Sequence, residues 1–333
     1  MSPISLPRQL KKVSDRALLK SLESGLEIVE ENLKQATSHA DKIAGASARH
    51  LVDAGGKRVR PTLVLLSAQL GDAKNQDIID AAVVVELTHL ATLYHDDVMD
   101  QATKRRGVDT AHMVWGNNVA ILTGDLLFAR ASNIVSGLGD DSLKLQAKVF
   151  EQLVLGQLHE TIGPQNGQDI LEHYYEVLRD KTGSLIALSA QIGALVSGAP
   201  GEYQEPLKQF GESIGVAFQL IDDIIDIQST KDQSGKVAGT DLLAGVPTLP
   251  VLLLANHHDA ESEALLAKIS NGLEEADLKE VLSKLRSHKV MAESLSITNG
   301  WADRAKAALD PLPASSVKSA LLAFADAVVD RQG

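Results

Sequence analysis

Apolar residues recur at helical spacing along almost the whole of this 333-residue chain, and period-two alternation is essentially absent. Leu18, Leu19, Leu22, Leu26, Val29 and Leu33 form one such stripe, opened by the capping residues Ser14 and Asp15. That helix is expected to end at Gly55-Gly56, with Pro61 near the start of the next. Further helices are expected at about 77–100, 113–137, 142–162, 169–197, 203–228 and 247–257, followed by several shorter ones. Val83-Val84-Val85 has strand-forming composition, but it lies inside a long segment without turn residues and reads as helix. No polar linker divides the chain. The expectation is one all-α domain over residues 1–333, a bundle of about ten or more helices, with residues 1–15 as a loose N-terminal arm.

Composition narrows the function classes. Apolar residues make up 44% of the chain but aromatics only 3%, a core of Leu, Ala, Val and Ile that suits packed helices better than sheets. A formal charge of −12 argues against nucleic acid or an anionic membrane as partner. The absence of cysteine excludes disulfides and thiolate chemistry and fits a reducing, cytoplasmic setting. No apolar run is expected to reach the roughly 18–20 residues of a membrane span, and the N-terminus lacks an apolar signal core.

Two clusters carry the chemistry: Asp96-Asp97-Val98-Met99-Asp100 and Asp222-Asp223-Ile224-Ile225-Asp226. Each sets its first and last carboxylate four residues apart, on one helix face, where like charges repel and weaken an isolated helix. Carboxylates without cysteine or a histidine cluster suit hard cations such as Mg²⁺, which share their remaining positions with water and substrate phosphates. A single cluster reads most simply as a solvated helix end. Two, each closing an apolar helix, point to a Mg²⁺-diphosphate site between helices. Thr88, His89 and Thr92 lie on the flank that carries Asp96 and Asp100, and Gln219 lies on the side of Asp222.

Basic residues gather beside the clusters despite the acidic total. Gly55-Gly56-Lys57-Arg58-Val59-Arg60-Pro61 puts cations and free backbone N–H groups at a helix start, and Lys57 and Arg60 are spaced to converge on one phosphate. Lys104-Arg105-Arg106-Gly107 follows the first cluster. Lys181-Thr182-Gly183 carries a glycine inside a helix, a place for a kink, and Lys236 follows the second cluster in a glycine-containing loop.

In this order, from about residue 50 to 255, these motifs resemble the trans-polyprenyl diphosphate synthases of medium and long chain. The resemblance implies the all-α isoprenoid synthase fold around a central active-site cavity, and a homodimer. It implies condensation of an allylic diphosphate primer with isopentenyl diphosphate, head to tail, with release of diphosphate. Asp96 and Asp100 would hold two of three Mg²⁺ ions with Asp97 in support. Asp222 would hold the third, with Asp223 and Asp226 nearby, and Mn²⁺ is an alternative ion. Arg105, Lys181 and Lys236 would contact the allylic diphosphate; Lys57, Arg60, His89 and Arg106 would seat that of isopentenyl diphosphate. Thr182 and Gln219 would lie beside the developing allylic cation. The family's second lysine, in a Gly-Lys-x-Thr-x-Pro stretch, is replaced here by Val246 in Gly245-Val246-Pro247-Thr248-Leu249-Pro250, which implies weaker allylic binding.

In this family the residue five before the first Asp often forms the floor of the product shaft. It is Ala91 here, with Thr88 and Thr92 also small, which implies a product beyond C15, in the range C30–C50. Three other readings compete. A terpene cyclase would normally carry an Asn-Ser-Glu type second motif. A four-helix di-iron protein is prompted by the Glu86-x-x-His89 spacing, though no second copy is evident. A non-catalytic partner subunit would typically have lost its Asp clusters.

Overall fold

The computed structural model describes residue 6 and residues 9–12, 15–228 and 238–330. It is helical almost throughout. The stripe from Leu18 to Leu33 forms α1 (Arg16–Ala36), whose first turn is capped by the Asp15 carboxylate accepting from the Leu18 N–H at 2.9 Å. Ser14 lies outside the described residues. The helix does not run on to Gly55 as expected. Thr37 closes it, and Asp41 starts α2 (Lys42–Asp53) by accepting from the Ile43 and Ala44 N–H groups. The apolar period bridges this break, so only the Asp41 cap marks it.

Next come α3 (Val59–Ser67), with Pro61 in its first turn, and α4 (Asp77–Met99). A two-strand hairpin pairs β1 (Lys104–Arg105) with β2 (Val108–Asp109). Then follow α5 (Ala111–Trp115), α6 (Asn117–Val135), α7 (Asp140–Ile162) and α8 (Ile170–Leu178). The helix expected from residue 113 starts at 117 instead, because Gly116 takes φ 85° and parts α5 from α6. A π-helical turn (Arg179–Gly183) joins α8 to α9 (Ser184–Val196), and α10 (Gln204–Gln228) carries the second Asp cluster. Six shorter helices complete the described fold: α11 (Thr240–Leu243), α12 (Leu249–Leu254), α13 (Ala260–Ser270), α14 (Glu275–Ser287), α15 (Lys289–Ala308) and α16 (Ser316–Val329).

Two apolar clusters hold the bundle. The larger joins α1–α7 to α9, α10, α15 and α16; the smaller joins α8 and α10 to α11–α15. Helix α10 serves both, giving Phe210, Ile214 and Ala217 to one and Leu220, Ile221, Ile224 and Ile227 to the other, so the second Asp cluster sits on the smaller cluster's stretch of α10, just past where the two meet. Each fully buried Leu or Ile contributes roughly 1.5–3 kcal/mol.

Helix α4 is the spine of the larger cluster, and it corrects one expectation. By length and composition its 23 residues suffice to cross a bilayer, but 67% of its apolar window is buried inside the bundle. Its hydrophobicity all round reflects neighbours on every side. Tyr94 ties it to α2, donating to the Ser47 carbonyl and accepting from the Leu51 N–H.

Candidate active site

The first Asp cluster lies in the last turn of α4, where the helix ends at Asp100. Asp97 is buried. Its Oδ1 accepts from Arg105 Nε at 2.5 Å, while its Oδ2 is buried without a hydrogen-bond partner. Asp96 is half-buried, and its carboxyl is pushed up to about 6 by burial; Lys181 and Arg105 oppose this, whereas Asp100 and Glu160 add to it. Costly, under-neutralised carboxylates of this kind are what a hard cation relieves.

Arg105 reaches Asp97 through the hairpin. Arg106 (φ 53°) and Gly107 (φ 82°) form its two-residue turn, both in the left-handed region that matches strand twist. Neighbouring side chains diverge there, and Arg106 instead donates Nη1 to the Leu51 carbonyl at 3.0 Å and to that of Gly55. Two adjacent arginines therefore serve two different places.

Lys181 and Thr182 are presented by the π-helical turn, whose extra residue widens the helix where the sequence suggested a kink at Gly183. The bulge rests on α10: a Cβ on Gly215 would stand 2.4 Å from the Gly183 Cα. From the other side α7 presses on it, since a Cβ on Gly156 would stand 2.6 Å from the Lys181 backbone nitrogen. Lys181 Nζ donates to Glu160 Oε2 at 2.5 Å. The sequence reading missed Glu160. Glu160 follows the close-approach Gly156 by one helical turn, a spacing that does not by itself announce a partner on another helix.

The second cluster is placed differently. Asp222 is half-buried, as is Gln219 on the same flank of α10. Asp223 is buried, and its Oδ2 accepts from the Tyr174 hydroxyl and from the Leu249 N–H at 3.0 Å. Burial pushes its carboxyl up to about 7, with those two hydrogen bonds opposing. Asp226 caps α11, accepting from Thr240 Oγ1 at 2.8 Å and from the Thr240 and Asp241 N–H groups at 3.3 Å. Two of these three carboxylates thus brace the fold around Asp222. Lys236 lies outside the described residues.

The third group is cationic. Arg58 adopts φ 48° and turns inward, pairing with Glu30 and Glu86 at 2.8 Å each. Arg60, two residues on, is half-buried, with its Nε shielded from solvent and unpartnered, and desolvation pushes its guanidinium down to about 10. His89 on α4 is pushed well below its ordinary value, first by burial and then by Arg60, Arg106, Arg105 and Arg58. Glu86 also lies close enough to support the charges of Arg60 and Arg106. With Lys57 exposed at the rim, the cations outnumber the carboxylates, so this seat suits an anion. The Glu86-x-x-His89 pair therefore gives no di-iron site: Glu86 is engaged by Arg58, and His89 faces arginines.

Among the described residues no three Asp, Glu or His side chains close on one point. Carboxylates of the first cluster and Asp222 would supply only part of a cation's shell, leaving room for phosphate and water oxygens. The buried, unpartnered Oδ2 of Asp97 fits a cation bound beside it. Of the shaft residues, Ala91 and Thr88 are fully buried and Thr92 is half-buried. Ala91 lies against α6, its carbonyl 3.1 Å from where a Cβ on Gly124 would stand.

Comparisons with known proteins agree with this arrangement. The family model described as polyprenyl synthetase matches residues 41–285. Nonaprenyl diphosphate synthase of Mycobacterium tuberculosis (strain ATCC 25618 / H37Rv) is 41% identical over 323 residues, 96% of each chain. Heptaprenyl diphosphate synthase component 2 of Geobacillus stearothermophilus is 36% identical over 92% of this chain and 95% of its own. The solved structure of geranylgeranyl pyrophosphate synthase from Corynebacterium glutamicum, complexed with calcium and isoprenyl diphosphate, superposes with a TM-score of 0.85 at 41% identity, covering 97% of this chain and 99% of that one.

Proposed function

The chain belongs to the polyprenyl synthetase family, and from that premise we propose that it condenses an allylic diphosphate with isopentenyl diphosphate, head to tail. The observation that supports this reading is the grouping of charge around the first cluster: Lys181 and Arg105 act on the Asp96 carboxyl, and Arg60, Arg106 and Arg105 act on His89, which suits two neighbouring anion seats. Asp96, Asp100 and Asp222 would hold Mg²⁺, which when bound neutralises a diphosphate as its C–O bond breaks.

The chain's own residues do the rest. Lys181 and Arg105 bind the departing diphosphate and favour its developing charge. Glu160 orients Lys181. Thr182 and Gln219 turn oxygens toward the allylic cation, and Arg60, Arg106 and Lys57 hold isopentenyl diphosphate in line for attack. His89, held neutral and poorly basic among arginines, acts as a hydrogen-bond partner; the proton lost in the final step goes to the released diphosphate. Val246, 47% exposed, leaves the allylic seat one cation short. Val246→Lys should lower the KM for the allylic substrate, and an unchanged KM sinks that point.

The small residues at 88, 91 and 92 support a product of C30–C50, as do the nonaprenyl and heptaprenyl relatives. Ala91→Phe should shorten it, and because Ala91 is packed against α6, Thr92→Phe gives a second, less crowded test. Neither variant changing chain length by mass spectrometry defeats the assignment of the floor. Ile121 and Leu122 on α6 and Val154, Leu155 and Leu158 on α7 are exposed, an apolar face that supports a homodimer through these helices. The decisive assay gives purified protein labelled isopentenyl diphosphate and a set of allylic primers, with and without EDTA. Metal-dependent elongation by this chain alone is expected; none would overturn the proposal.

A further inference from the structure

Behind the π-helical turn, on the outer face of the bundle, lies a groove of about 500 Å³ between α10 and α15. That volume falls within the ordinary range for small-ligand sites. Its charged walls are Arg179, first residue of the π turn, and Arg304 on α15. Arg304 stacks on Trp301, its guanidinium carbon 4.7 Å from the ring centroid, and Tyr175 packs 5.7 Å from the same ring. Gln209 and Ser213 on α10 add hydrogen-bonding groups. The one carboxylate in the lining, Glu212, faces Lys208 at 3.6 Å; the only ion pair of Arg179 among the described residues is Glu172, at 3.9 Å. Two arginines, one of them loosely paired to Glu172, therefore line the groove beside an indole, and the single lining carboxylate is engaged by Lys208. This combination matches a ligand with phosphate at one end and an apolar or aromatic body at the other.

We propose that this groove is a second binding site, separate from the condensation site, for an organic phosphate. Either a nucleotide or a prenyl diphosphate supplies that chemistry. The groove also has a route to the active site. Arg179 lies two residues before Lys181, and the Gly183 end of the turn rests on the α10 backbone at Glu212, where a Cβ would stand 3.0 Å from the Glu212 carbonyl oxygen. A ligand gripping Arg179 against α10 bears on the segment that presents Lys181 to Asp96. In that respect the inference rests on the function proposed above; binding itself does not.

The chain has two tryptophans, Trp115 and Trp301, so fluorotryptophan labelling gives two fluorine NMR resonances, assigned with Trp115→Phe. Full-length protein in EDTA is titrated with ATP, geranylgeranyl diphosphate or inorganic diphosphate. The Trp301 resonance should shift saturably with ATP or with geranylgeranyl diphosphate, whichever source is correct, and more weakly with inorganic diphosphate. Arg304→Gln should weaken that binding about tenfold while leaving kcat and both substrate KM values unchanged in the absence of added ligand. A Trp301 resonance that no probe moves, equal binding of inorganic diphosphate, or undiminished binding in Arg304→Gln overturns the site. Saturable binding that leaves the wild-type condensation rate unchanged overturns its link to Lys181.

Discussion

The two aspartate clusters share one spelling and live in different surroundings. In the first, Asp97 keeps a buried oxygen unpartnered, and Asp96 is pushed up to about 6 by burial although Lys181 and Arg105 oppose the rise. In the second, Asp223 is held by Tyr174 and the Leu249 N–H, while Asp226 caps a helix. The first cluster leaves a buried oxygen without a partner, which a cation could fill; the second spends two carboxylates on hydrogen bonds that brace the fold, although burial still holds Asp223 higher than Asp96. An identical motif can therefore be mostly reagent at one place and mostly scaffold at another.

That contrast can be broken. If Asp96 holds a cation as proposed, Asp96→Asn should cut kcat about a thousandfold or more, since it removes that ligand and its charge. Its thermal stability should hold or rise, because a costly buried charge is gone. A variant that loses stability while keeping activity would reverse the assignment. Tyr174→Phe should behave oppositely, costing about 1–3 kcal/mol of unfolding free energy in urea titrations because Asp223 loses a buried partner.

Acidity sharpens the difference. Asp223 in the fold titrates at about 7, above the ordinary carboxylate value near 4. The folded state therefore binds the proton more tightly than the unfolded one. This contribution is complete below the unfolded pKa and is lost as pH rises through about 7. Asp223→Asn should flatten the pH dependence of stability between those limits by up to about 1.4 kcal/mol per pH unit; an unchanged slope removes Asp223 as its source. The smallest effect expected is that of Asp226→Ala, which removes the cap of α11 for about 1 kcal/mol. It should appear as faster amide exchange at Thr240 and Asp241, and unaltered exchange there would show that the cap does not hold the turn.

Much was legible beforehand because it is local. The helices expected at about 77–100, 142–162 and 203–228 lie at 77–99, 140–162 and 204–228, and the kink expected at Lys181-Thr182-Gly183 is a π-helical turn. The break between α1 and α2 was obscured because its apolar spacing carries through the cap at Asp41. Glu160 was missed because its partner Lys181 lies on another helix, and nothing in the spacing of α7 announces the pairing.

The sequence by itself determined a helical bundle, put paired carboxylates on single helix faces and set cations at three loop positions, since periodicity and turn chemistry act over a few residues. Only the tertiary structure decided which side chains remain in electrostatic deficit. It buried Arg58 between Glu30 and Glu86 yet left Arg60 Nε unpartnered two residues away, and it braced Asp223 but not the second oxygen of Asp97. Partners for a buried charge come from distant segments, and the free energy of that charge depends on which of them arrive.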